Sequence, residues 1–153
     1  MNDIQLQNAN NALQRHNVIE FEKLMQHGTK VEIKIDNYYS DGVYGRRAYI
    51  PAGTILTGHI HKFEQMNILL KGEIEIAGSG ILKAPQVVVS PPGTKRLAKA
   101  LTDCEWLTIL RTDLCDADKI EAQFTCITED EYQEFLAQQP ALPFEAENVK
   151  RIS

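Results

Sequence analysis

The sequence predicts an all-β sandwich or barrel with short helical segments at both ends. Two observations carry that reading. Between Lys30 and Arg111, short stretches of strand character follow one another closely. Turn chemistry separates them: Pro51-Ala52-Gly53, Lys71-Gly72, Gly78-Ser79-Gly80, Pro91-Pro92-Gly93 and Thr102-Asp103. Many short strands joined by Gly/Pro turns bury their apolar faces only by stacking two sheets or closing one.

The elements follow in chain order. Residues 1–16 show no strong period. Asn17 has the chemistry of an N-cap with Glu20 as its box partner, and Val18, Phe21, Leu24 and Met25 follow at helical spacing up to Gly28. This predicts a helix over about 18–27. From Lys30 the period becomes two. Val31, Ile33 and Ile35 alternate with Glu32, Lys34 and Asp36, a strand with one apolar face. Asp41-Gly42 is a turn. Further strands are predicted at about 44–50, 54–61, 65–77, 80–83, 86–90, 94–100 and 105–111. Beyond Asp113 the pattern softens to a helical turn at 116–122 and a last strand at 124–127. Thr128 and Glu131 then form a capping box for a helix at about 129–138, ahead of Pro140. Residues 140–153 read as a loose tail. The organisation expected is an N-terminal segment (1–29), a barrel (30–112) and a C-terminal extension (113–153).

Composition narrows the classes of function. The net charge of −5 hides an asymmetry: residues 30–111 hold 11 Lys+Arg against 8 Asp+Glu, and the remainder 5 against 13. A mildly basic centre between acidic flanks argues against a nucleic-acid binder, which needs a clear basic surface, and leaves room for a small anionic ligand. No run of about 18 apolar residues predicts a membrane span. Met1 to Asn11 has no apolar signal core. Cys104, Cys115 and Cys126, odd in number and without a CxxC, read as reduced thiols of a cytoplasmic protein. The apolar face of the 30–36 strand, as a candidate sheet edge, predicts a homodimer.

The chemistry concentrates at His59-Ile60-His61. Side chains two apart on a strand share a face, so both imidazoles can converge on one metal or ligand. Gln65 and Asn67 can line the same face across the next strand, and Arg96, with Lys95 or Thr94, can approach from a third. That set supplies donors suited to carboxylate or phosphate, with Arg as the bidentate clamp, and Glu64 as the nearest candidate base. The bland readings are two polar barrel-lining histidines, a solvated strand edge at Lys95-Arg96 and a core position for Trp106.

The spacing resembles the cupin superfamily over roughly residues 43–112. His59-Ile60-His61, then Gln65, then Gly72 is similar to the first cupin motif, in which HxH is followed by Glu and then Gly. Pro91-Pro92-Gly93 with Arg96 is similar to the second, in which PxG precedes a His. The wording Leu56-Thr57-Gly58 through Asn67-Ile68-Leu69 also resembles small cupins carried by tailed bacteriophages. The resemblance implies a cupin-type double-stranded β-helix, a jelly-roll barrel, and a metal held by three His and one Glu.

The departures from that pattern bear on function. Gln65 stands in the Glu slot, a poor transition-metal ligand. Arg96 stands in the third-His slot, where it stays protonated and cannot ligate. The family's Asn is Ala100. Three classes remain. The first is a module binding a small polar or anionic molecule through His59, His61, Gln65, Asn67 and Arg96. The second is a metal-dependent oxygenase or isomerase using His59, His61 and Glu64 on a divalent transition metal (Fe, Mn, Ni or Zn). The third is a phage accessory or structural protein with a vestigial site.

Overall fold

The computed structural model describes residues 2–139. Its strands are β1 (Lys34–Ser40), β2 (Val43–Ile50), β3 (Ile55–Thr57), β4 (Ile60–His61), β5 (Gln65–Lys71), β6 (Glu73–Ile76), β7 (Gly80–Lys83), β8 (Gln86–Ser90), β9 (Leu97–Ala100), β10 (Cys104–Arg111) and β11 (Thr125–Cys126). Its helices are α1 (Asp3–Met25), α2 (Ala117–Phe124) and α3 (Glu129–Gln138). The strands form a five-stranded sheet of order β1-β2-β10-β5-β8, a four-stranded sheet of order β3-β9-β6-β7 and a small β4-β11 pair, all antiparallel. From β5 to β10 the chain crosses between the two large sheets at every step except the β6-β7 hairpin, which stays within the four-stranded sheet. This order is the jelly roll of a double-stranded β-helix.

Strand parity builds the interior. Tyr44, Ala48 and Ile50 on β2, Leu69 on β5, Ile74 and Ile76 on β6, and Ala98 and Ala100 on β9 are buried, and most of them form one core with Cys104. Gly72 turns the chain from one sheet to the other at φ +89°. A Cβ there would collide with the Asp103 carbonyl, so the position is closed to other residues.

Helix α1 corrects the expected 18–27 helix. It begins at the Asn2 N-cap, with a full capping box to Gln5, and runs through residues that showed no period. Most of its surface faces solvent. It is held at a few points instead: buried Val18, Gln14 bonding the Ala77 carbonyl at 3.0 Å, and buried Arg15. A helix docked so sparsely carries little amphipathic signal. The first strand is also shifted, to 34–40 rather than 30–36, and Val31 is exposed outside it. The 94–100 strand begins only at Leu97. The predicted tail, 140–153, lies outside the described residues.

Helices α2 and α3 fall close to their predicted places. Asp116 caps α2 by accepting from the Lys119 N–H at 3.0 Å, and Thr128 caps α3 by accepting from Glu131 N–H at 3.1 Å. Tyr132 and Phe135 of α3 pack on Ile60 and Cys126, outside the barrel. None of the described helices is long and apolar enough to cross a membrane.

Candidate functional site

The two sheets enclose a cavity of ≈ 520 Å³. The alternation at residues 59–61 works as the sequence suggested: Ile60 is fully buried on the α3 side, and His59 and His61 line the cavity. His61 is fixed by its backbone, donating to the Thr94 carbonyl (2.9 Å) and accepting from the Gly93 N–H (2.7 Å). Gln65 and Arg96 also line the cavity, as do Tyr44, Arg46 and Trp106.

Arg96 is half-buried and lies over the Trp106 ring, 5.2 Å from its centroid. Among the described residues it has no acidic partner. Desolvation lowers its pKa to about 10, so it remains a cation at neutral pH. Trp106, expected to be plain core, is therefore part of the site. Its indole N–H is held by Asn67 Oδ1 at 3.2 Å, which sets the ring plane under the guanidinium.

His61 is the site's neutral imidazole. Burial, then the charge of Arg96, then His59 and Lys95, push its pKa down to about 3. Its Nδ1 is buried with no hydrogen-bond partner within the described residues. His59 sits nearer the mouth, with Nδ1 3.0 Å from Glu121 Oε1 and 3.4 Å from Thr125 Oγ1.

Three expectations need correction. Glu64 is exposed between the Lys62-Phe63 bend and β5 and does not line the cavity, so it meets neither the histidines nor Arg96. Its offset from the Glu slot puts it on the solvent side, and the preceding bend does not bring it back. Asn67 is 0% exposed and also absent from the lining. Its Oδ1 accepts from Gln65, Trp106 and Thr108, and its Nδ2 faces Ser90 Oγ and the Val88 carbonyl. It is a buried polar hub that orients the site and has no surface left for a ligand. Lys95, weighed as a ligand contact beside Arg96 or as a solvated edge, is neither: it is absent from the cavity lining, 2% exposed and ion-paired with Glu22 of α1 at 2.8 Å.

Two contributors escaped the sequence reading. Glu121 reaches the mouth because α2 folds across it, a tertiary placement with no local signal. Arg46 was within reach, since period two from Ala48 and Ile50 puts it and Tyr44 on the inner face of β2.

The residues present do not fit the metal that the motif resemblance implies. The third-His position is a cation, which disfavours a metal ion beside it. Gln65 is neutral, and an amide is a poor ligand for a transition metal. Among the described residues no three His, Cys, Asp or Glu side chains are grouped to hold an ion.

No protein-family model and no curated protein matches this sequence. Among solved structures it is similar to an acetylacetone dioxygenase from Acinetobacter johnsonii, at 16% identity over 72% of this chain and 80% of that one (TM-score 0.47). It is similar to KdgF from Halomonas sp., at 17% identity over 60% and 90% (TM-score 0.47). It is also similar to an RmlC-like cupin from Desulfovibrio desulfuricans, at 23% identity over 56% and 90% (TM-score 0.43). The assignment of the fold stands on the strand order itself: this chain is a cupin-type double-stranded β-helix.

Proposed function

We propose that this protein is a cupin-fold module that binds a small anionic molecule inside the barrel, without a metal. The observation that supports this is Arg96. It is a desolvated cation on the cavity wall, with an aromatic face behind it and no acidic side chain among the described residues within ion-pair distance. An anion placed there gains charge-assisted hydrogen bonds in a medium that screens them weakly. Gln65 and the neutral His61 supply further polar contacts, while Asn67 and Trp106 hold the guanidinium's platform.

Thermal shift and calorimetry with small carboxylates and inorganic phosphate test this. Wild type should gain stability with anion concentration as a one-site binder does, about 2.7 kcal/mol at a hundredfold excess over Kd. Arg96→Ala should show no such response. An equal response in Arg96→Ala would remove the proposal. No response in either protein would favour the vestigial reading.

We also propose a homodimer, through a different surface from the expected edge. Ile33 and Ile35 turn into the cavity and need no partner. The outer face of the five-stranded sheet does: Val89, Met66 and Ile109 form one cross-strand row, and Val87, Ile68 and Leu107 the next. Val87, Val89 and Met66 are 58%, 54% and 47% exposed. Arg47 and Glu105, at the far side of the same face, neutralise each other at 3.1 Å, so this pair brings no net charge against a second copy of the face. Sedimentation equilibrium at micromolar concentration should report a dimer that Val89→Lys dissociates. A 17.3 kDa monomer for wild type would overturn this.

A further inference from the structure

We infer that the barrel takes an amphipathic carboxylate, with its head at Arg96 and its aliphatic tail between Ala48 and Ala98. This rests on the reading of Arg96 as an anion site and names the ligand class for it.

The grading of the cavity follows from strand register. At one level of the five-stranded sheet the inward positions are Asn37, Arg46, Thr108 and Asn67, paired in that order across β1, β2, β10 and β5. Two residues further along, the same strands pair Ile35, Ala48, Trp106 and Leu69. The facing sheet repeats the change. Arg96, whose carbonyl accepts from Gly58 N–H at 3.1 Å, stands beside the histidine segment. Ala98, the next inward residue, is paired between Leu56 and Ile76. Both sheets therefore pass from polar to apolar within one inward step, and Ile33, Ile50 and Ile74 continue the lining at the apolar end.

Ala48 and Ala98 make the apolar end roomy. They are the small residues at the step, and both line the cavity. Polar side chains at one end and aliphatic walls at the other suit a molecule of the same polarity. A fully polar ligand would leave the aliphatic end without a partner, and a hydrocarbon would leave Arg96 unpaired. One half-buried guanidinium beside a neutral imidazole matches a planar monoanion, which it can grip with two parallel hydrogen bonds. Asp118 and Glu121 on α2 line the same cavity and outnumber its other lining guanidinium, the exposed Arg46, so they disfavour a second negative charge on the ligand. A carboxylate thus fits better than a phosphate dianion.

The test is a calorimetric series of acetate, butanoate, hexanoate and octanoate, with octan-1-ol as the uncharged control. It is run on wild type, Arg96→Ala, Ala98→Leu and Leu56→Ala. Affinity should rise about three- to fourfold per buried methylene until the cavity is filled, and octan-1-ol should bind at least tenfold more weakly than octanoate. Ala98→Leu should flatten the rise while leaving acetate unchanged. Leu56→Ala, which enlarges the same end, should extend the rise to longer chains. Octanoate binding no better than acetate, with both still dependent on Arg96, would sink the amphipathic ligand and leave the anion site standing. Octanoate binding Arg96→Ala as well as wild type would overturn the placement of the head. No binding of any carboxylate would overturn both.

Discussion

Lys95 and Arg96 are neighbours in sequence and opposite in circumstance. Lys95 points out of the barrel, is almost fully buried, and is matched by Glu22 and by the Gly58 carbonyl at 2.7 Å. Arg15 lies on the same outer side. It is 5% exposed and engages Glu129 through two nitrogens, the Gly93 carbonyl at 3.0 Å and the Tyr132 ring. These two cations fasten α1 to the barrel and to α3. Gly93 lies against Arg15 and Tyr132, where a Cβ would press on both. Arg96 faces inward over an aromatic plane, and among the described residues no carboxylate lies within ion-pair distance of it. A buried cation matched from its own chain is a fastener; one left unmatched in a cavity is a place for something to bind.

The comparison can be broken by mutation. Arg15→Ala and Lys95→Ala should each lower unfolding free energy by about 2 kcal/mol, since each removes charge-assisted hydrogen bonds and frees part of α1, while the carboxylate left behind is about a third exposed and can be hydrated. Arg96→Ala, measured without ligand by the same denaturant titration, should stay within about 1 kcal/mol of wild type or exceed it, because no partner is orphaned. An Arg96→Ala loss as large as that of Lys95→Ala would mean that the two residues do the same job.

A smaller effect sharpens the inner side. His61 is neutral in the folded protein down to about pH 3, whereas the unfolded chain protonates it near its ordinary 6.5. Between those values the unfolded state binds more protons, so stability is fully present above pH 6.5 and is lost as pH falls. The paired Glu129, held below its ordinary 4.5 by Arg15, adds acid sensitivity only at lower pH. Unfolding between pH 6.5 and 4.5 should therefore show a slope that His61→Gln removes. A bound carboxylate beside the ring should lessen the slope by stabilising the imidazolium. An unchanged slope in His61→Gln would show that the ring is hydrated.

The smallest expected effect belongs to Glu64. Exposed and unpaired among the described residues, its change to Ala should leave both stability and anion binding unmoved. Loss of binding in that variant would return it to the site.

Legibility differed between these regions for physical reasons. The inner site could be read because strand parity is local: His59 and His61 two apart, Arg96 three after Gly93, and short strands between glycine turns all predict their own placement. The outer fasteners could not be read, because Arg15–Glu129 and Lys95–Glu22 span the chain and leave no periodic trace. Helix α1 stayed hidden as far as Asn17 for the same reason, its docking resting on a few polar anchors and not on an apolar stripe. Asn67 shows the remaining ambiguity. Parity correctly turned it inward, but whether an inward polar residue meets a ligand or its neighbours depends on Trp106 and Thr108, which only the fold brings to it.

Native mass spectrometry of freshly purified, untagged protein, with metal content measured on the same sample, tests the central claim most directly. The expected result is a chain free of stoichiometric transition metal that takes up one carboxylate, with that adduct lost in Arg96→Ala. One metal ion per chain, lost in His61→Ala and kept in Arg96→Ala, would contradict it and make the histidine pair a metal site after all.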